Sequence, residues 1–319
     1  MKRILIIQTA FLGDVILATP VISELKRCFP DAQIDFVVKK GNESLLRNRP
    51  DLNKVYVFDK TQGKLKAIRR LVNQFRKAHY DLVVNLHRFG SSGILTGFSK
   101  GKKKYGFKKH RLSFLFSKTF EHTIGDGTHE VERNLSMIQE FGAKKSSRPS
   151  LYPSDEDFKV IEKYTSDEYY CMAPSSVWFT KQLPAHKWVE LIQSFRGKTI
   201  YLLGGPDDKV LCDEIIHNAG AQSVINLAGE LSLLQSAELM KTAKRNYVND
   251  SGPLHLASSM NANVTVFFCS TIPDFGFGPL SDDSEIKEVK GLDCRPCGLH
   301  GHKECPKGHF KCGELIELF

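Results

Sequence analysis

No apolar run in the 319 residues reaches the roughly 18–20 needed for a membrane-spanning helix, so a transmembrane segment is not expected. The apolar start Ile4–Ile7 follows Met1-Lys2-Arg3, but it is too short for a signal peptide, and Gln8, Gly13 and Asp14 interrupt it. A buried strand explains it better, which places the chain in the cytoplasm. No Gly-x-Gly-x-x-Gly opens the first helix, and this argues against a dinucleotide-binding first domain. Short internal repeats and low-complexity segments are absent too. Acidic residues are outnumbered, 36 against 45 basic, for a net charge of +9. That balance favours an acidic partner (nucleic acid, anionic membrane or phosphorylated substrate) without choosing among them.

Apolar strand-length runs alternate with helix-length stretches almost throughout. Lys2–Ile7, Ile34–Val38, Val55–Phe58 and Asp81–Leu86 read as strands, with helices over Asp14–Cys28 and about Lys64–His79. The rhythm restarts after the polar stretch Lys144–Ser150. Strands are then expected at Tyr169–Ala173, Thr199–Leu203, Ser223–Asn226, Asn246–Val248 and Val264–Phe268. Helices are expected at Ala185–Phe195, Asp208–Asn218, Leu233–Lys244 and Gly252–Ser259. A chain of this length exceeds what one core usually supports, about 250–300 residues. The expected fold is therefore α/β: two Rossmann-like, doubly wound parallel-sheet domains, 1–150 and 151–319, facing across a cleft.

Three strand-to-helix turns carry chemistry. Thr9-Ala10-Phe11-Leu12-Gly13-Asp14 puts a carboxylate at a helix start, where a plain capping role is the simpler alternative. Ala173–Pro184 offers Ser175, Ser176 and Lys181, donors suited to a diphosphate, although a solvated lysine reads as well in isolation. Asn249-Asp250-Ser251-Gly252-Pro253-Leu254-His255 opens a helix with Ser251 and Gly252 at its positive end, a favourable place for phosphate. Its plainer alternative is a capping motif with His255 in the core.

Together these segments resemble glycosyltransferase family 9, the lipopolysaccharide heptosyltransferases. The likeness runs along nearly the whole chain. It includes Gly13-Asp14 with Pro20, Tyr80–Leu86, His129–Leu135, the Lys181 loop, Leu202–Gly205, Asn249–Ala257 and the cysteine-bearing tail. The resemblance implies a GT-B architecture in which residues 1–150 hold the acceptor and 151–319 the nucleotide-sugar. It implies an inverting, metal-independent transfer of heptose from ADP-heptose to a lipopolysaccharide core, with no catalytic cofactor. It also makes Asp14 the general base and Ser175, Ser176, Lys181, Asp250, Ser251, Gly252 and His255 the donor contacts. The family usually has tryptophan where Leu183 precedes Pro184 here, which weakens the packing argument for that loop.

Lys100–Arg111 concentrates seven formal positive charges and is expected as a flexible cationic loop. With the family's anionic glycolipid as partner, Gly13, Lys102, Lys103 and Lys104 become acceptor contacts, and the chain a peripheral visitor to the inner face of the cytoplasmic membrane. Nucleic acid is not the expected partner, although basic segments with aromatics also bind it. Cys294, Cys297, Cys305 and Cys312, with histidines between them, have the look of a knuckle for structural zinc; disulfides or reduced thiols are the alternatives. Two functional alternatives stay open. One is another GT-B nucleotide-sugar enzyme, a hexosyltransferase or an epimerase; the other is a non-catalytic basic protein that binds nucleic acid or membrane.

Overall fold

A computed structural model of the chain describes residues 1–61 and 63–319. It divides into two units: residues 1–124 with 128–152, and residues 125–127 with 153–319.

In the first unit the chain runs β1 (Arg3–Ile7), α1 (Leu12–Cys28), β2 (Gln33–Lys39), β3 (Lys54–Phe58), α2 (Lys64–Ala78), β4 (Leu82–Asn85), α3 (Ser91–Gly97), β5 (Lys103–Phe107), β6 (Lys118–Phe120) and α4 (Glu130–Ser136). The six strands form one parallel sheet in the order β3-β2-β1-β4-β5-β6. Its central strands are buried almost throughout, as parallel sheets covered on both faces require; Ile4, Leu5, Ile6, Ile7, Leu82, Val83 and Val84 are all fully buried.

Helix α1 carries Pro20 in its interior. Proline has no N–H to give to the carbonyl four residues back. The Thr19 hydroxyl donates to that carbonyl, Ile16 O, at 2.7 Å instead. The same hydroxyl accepts from Ser150 N at 3.0 Å. The buried Arg49 guanidinium donates to Ser150 O (2.8 Å) and to Ser23 Oγ (2.5 Å). The polar stretch that ends the first unit is thus tied to α1.

The second unit runs α5 (Asp155–Ile161), β7 (Tyr169–Ala173), α6 (Ala185–Ser194), β8 (Thr199–Leu202), α7 (Lys209–Ala219), β9 (Val224–Asn226), α8 (Leu233–Thr242), β10 (Arg245–Asn249), α9 (Gly252–Ser259), β11 (Val264–Phe268), β12 (Ser284–Glu288) and α10 (Lys311–Glu314). Its parallel order is β12-β11-β10-β7-β8-β9. Read from the other edge, this is the wiring of the first sheet, so the α/β reading holds for both units. Trp188 meets Phe267 edge-on, with 5.4 Å between ring centroids. Leu183 packs into the same core as Trp188. The cysteine-bearing tail joins that core through Phe310, Cys312, Ile316 and Leu318.

One expected loop proves to be a strand. Tyr105, Gly106 and Phe107 are buried within β5, and that apolar face outweighs the neighbouring lysines. Gly106 is required there, because a Cβ would come within 2.6 Å of the Phe116 ring. Among the described residues no helix is long and apolar enough to cross a membrane.

Candidate functional site

Each sheet reverses its strand order once, and ligands of doubly wound sheets bind beyond the carboxyl ends of the strands at that reversal. In the first unit the reversal lies between β1 and β4, and in the second between β7 and β10. Asp14 follows β1, and His87 and Arg88 follow β4. Lys181 follows β7, and Asp250 to His255 follow β10.

Asp14 occupies the third position of α1, and its Oδ2 accepts the Phe11 N–H at 3.1 Å. That bond and the helix end both favour the anion. Burial nevertheless dominates, seconded by the nearby charge of Glu130, and together they push the Asp14 carboxyl up to about 6 against the pull of Phe11 N–H and Arg88. Glu130 opens α4. Burial would raise its pKa, but His122 and Arg133 outweigh that and hold it below the usual carboxylate range. His122 Nε2 lies 3.0 Å and Arg133 NH1 3.1 Å from Glu130 Oε2. Across the switch point, Thr9 Oγ1 is 2.8 Å from His87 Nδ1. Burial, with His110, Lys60 and Arg88, depresses His87 to about 4, so its imidazole is neutral at physiological pH.

In the second unit Lys181 Nζ reaches Asp250 Oδ2 at 2.7 Å. The Thr271 hydroxyl donates to the same oxygen at 2.6 Å. Beneath them Asn249, fully buried, accepts Leu183 N at 2.9 Å and donates to Pro174 O at 2.8 Å. One side chain thereby fixes both strand-to-helix turns. Ser175 and Ser176 are half-buried, and their carbonyls accept from Asn249 and Gln182. No side chain caps α9, which leaves its positive end, at Ser251 and Gly252, available to an anion. His255 is buried on that helix.

The lysines expected at the acceptor do not share a rim with Asp14. Lys103 is level with Leu82, and Leu82 with Ile4, so Lys102, Lys103 and Lys104 sit at the amino rim of the sheet, opposite the end that leads to Asp14. Lys102 pairs with Asp81 at 2.8 Å, and Lys104 Nζ donates to Gly97 O at 3.3 Å. These three lysines are thus remote from Asp14, and Gly13 alone of the four lies beside it. Of the cations that follow the carboxyl ends of strands in this unit, Lys40 after β2 and Lys108 and Lys109 after β5 included, Lys60 and Arg88 both bear on His87. Neither stands out in the sequence, because each is a single basic residue after a strand.

The zinc knuckle expected of Cys294, Cys297, Cys305 and Cys312 is not assembled: among the described residues no three His, Cys, Asp or Glu side chains gather as a metal-ligand group. All eight cysteines are free thiols. Cys312 turns into the core, Cys297 Sγ donates to Cys294 O at 3.0 Å, and Cys305 Sγ accepts Phe310 N–H at 3.4 Å.

Residues 68–309 match the family model of glycosyltransferase family 9 (heptosyltransferase). Lipopolysaccharide heptosyltransferase 3 of Escherichia coli K12 is 29% identical over 278 residues, covering 81% of this chain and 80% of the relative. Among solved structures, a glycosyl transferase of family 9 from Veillonella parvula superposes with a TM-score of 0.80 at 20% identity, over 89% of this chain and 85% of the other. The ADP-heptose lipopolysaccharide heptosyltransferase II of E. coli does so with a TM-score of 0.77 at 21% identity, over 93% and 96%. These likenesses show a shared GT-B fold.

Proposed function

We propose, from the premise that this chain belongs to glycosyltransferase family 9, that it transfers heptose from ADP-heptose to a lipopolysaccharide core acceptor with inversion at the anomeric carbon. The observation that supports this reading is the pair of switch points, one bearing a carboxylate and the other a cation beside an uncapped helix end.

In the proposed reaction Asp14 takes the proton of an acceptor hydroxyl as that oxygen attacks the anomeric carbon of the donor. The bond from that carbon to the diphosphate breaks, and ADP leaves with the electron pair. A carboxyl raised to about 6 is a stronger base than an ordinary aspartate and is still ionised at neutral pH. Lys181 and the N–H groups at Ser251 and Gly252 meet the charge that grows on the diphosphate. Lys181 has three N–H donors, so it can keep Asp250 while gaining a phosphate oxygen. Ser175, Ser176 and His255 complete the donor side. So read, residues 1–150 serve the acceptor and 151–319 the donor, and the reaction calls on no cofactor.

Gly13, Arg88 and Lys60 are the acceptor-side counterparts for a phosphorylated, carboxylate-rich core. The proposed setting is the cytoplasmic face of the inner membrane, with peripheral contact supported by Phe114, 77% exposed three residues after Arg111. The deciding experiment gives the purified protein ADP-heptose and lipid A bearing inner-core sugars, with the product read by mass spectrometry. A mass gain of one heptose supports the reading. No transfer, or conversion of the free nucleotide-sugar alone, rejects it.

A further inference from the structure

Lys181 closes a three-residue helical turn, Phe179–Lys181, too short to hold a side chain in place by itself. From one side Asn249 and Asp250 hold it, as described above. From the other side it is held by the tail. Thr180, 1% exposed, lies at the centre of that contact. Its N–H donates to His302 O at 3.1 Å, and its carbonyl accepts Ser270 N at 3.1 Å. Its hydroxyl accepts His302 N at 2.8 Å and Ser270 Oγ at 3.0 Å. Ser270 O accepts Cys297 N at 3.1 Å, and His302 Nε2 lies 3.1 Å from Cys297 O. The bonds close a ring through Thr180, Ser270, Cys297 and His302.

Packing repeats the message. Gly301 has φ +77, and a Cβ there would stand 2.9 Å from Lys181 Cγ and 3.1 Å from Trp178 Cβ. The tail backbone therefore lies against the stem of the lysine, as close as a residue without a side chain permits. Both ends of the segment are pinned. Upstream, the Arg295 guanidinium, its side chain 5% exposed, donates to Cys269 O (2.7 Å), Thr271 O (2.6 Å), Val289 O (3.1 Å), Phe268 O (3.3 Å) and the Glu288 carboxylate (2.7 Å). Downstream, Phe310 and Cys312 enter the core.

We propose that tail residues 297–302 form a positioning strap that sets Lys181 for the donor diphosphate, so that donor affinity depends on Thr180 and Gly301 although neither touches the donor. This rests on the reading of Lys181 as the diphosphate ligand. The strap acts on ground-state binding: it places an ammonium group and leaves the proton transfer at Asp14 untouched.

The test is calorimetric titration of the full chain with ADP, paired with steady-state kinetics. Thr180→Val removes the hydroxyl and keeps the shape, Thr180→Ser restores the hydroxyl, and Gly301→Ala pushes on the lysine stem. Thr180→Val and Gly301→Ala are expected to weaken ADP about tenfold and to raise donor KM in step, with kcat at saturating donor unchanged and Thr180→Ser near the parent. Lys181→Ala is the control. If it weakens ADP while folded Thr180→Val and Gly301→Ala bind as the parent does, the strap is rejected and the donor site stands. If Lys181→Ala binds ADP normally, the donor reading fails and the strap with it. Should a strap variant not fold, amide hydrogen exchange on the parent decides. ADP must slow exchange across 297–302 along with 178–183, and unchanged exchange in the tail overturns the proposal.

Discussion

Lys181 and Asp250 come from turns after two adjacent strands, β7 and β10, and meet at 2.7 Å with the Asp250 side chain 5% exposed and that of Lys181 16% exposed. Neither group is fully open to water, and neither is sealed from it. The lysine, with three N–H donors, still has N–H groups to give.

Asp250→Asn keeps a hydrogen-bonding group for Thr271 but leaves the Lys181 ammonium half-buried without its counter-charge. Removing one partner of a fully buried pair costs about 3–5 kcal/mol. With Lys181 partly solvated, the expected loss is about 1–3 kcal/mol, read from urea unfolding midpoints at constant slope. An unchanged midpoint means that water already carries the lysine.

Asp14→Asn removes the proposed base while keeping the side-chain shape. The rate at saturating substrates is expected to fall by about 10² to 10⁴, with ADP affinity retained in calorimetry. A variant that transfers heptose at the parental rate disproves the assignment.

The same substitution should stabilise the fold. Asp14 titrates near 6 in the native state, against an ordinary value near 3.8. A carboxyl whose pKa is raised on folding is neutral for stability while both states are protonated. It becomes a growing penalty as pH climbs from about 4 to 6, and the penalty is complete above that. Asp14→Asn removes it, so the variant should be more stable than the parent by about 1–3 kcal/mol at pH 8 and equal to it near pH 3. Thermal unfolding at the two pH values measures the difference.

The acid limb of kcat/KM should turn at about pH 6, the Asp14 value, with activity gained as the carboxylate ionises. Glu130 raises that value, whereas Arg88 and the Phe11 N–H lower it. Glu130→Gln removes the like charge, and the limb is expected to move to lower pH; a limb that stays in place or moves up assigns it to another group.

Lys102 precedes β5, and Lys103 and Lys104 begin it; the far end of the strand lies about 10–16 Å from them, beyond the Debye length of about 8 Å at physiological salt. Replacing all three with alanine should change kcat/KM by no more than about twofold. A large rise in acceptor KM would return them to the acceptor site.

The two switch-point turns are legible in the sequence because each joins an apolar run to a helical periodicity through small or polar residues. Strands β5, β6 and β12 are not. They contain Lys103-Lys104, Lys118 and Ser284-Glu285, and near a sheet edge the alternation that marks a buried strand is lost. The layer beneath the site is hidden for another reason. Asn249 binds Leu183, 66 residues away, and Thr180 binds His302, 122 residues away. A polar residue whose partner is so distant in the chain has the local signature of a loop. Lys102 to Lys104 mislead in the opposite way: charge density draws attention to them, yet strand register decides which rim they occupy.

Both sheets are laid out to one plan, with the order reversing between their first and fourth strands. What differs is the residue planted after the first strand of each: Asp14 in the first copy, Lys181 in the second. A protein drawn twice from one blueprint can diversify by editing a few turn positions while the pleated frame stays as it was. On the proposed division of labour, reassigning what such an enzyme carries then becomes a matter of rewriting the turns of the second copy alone.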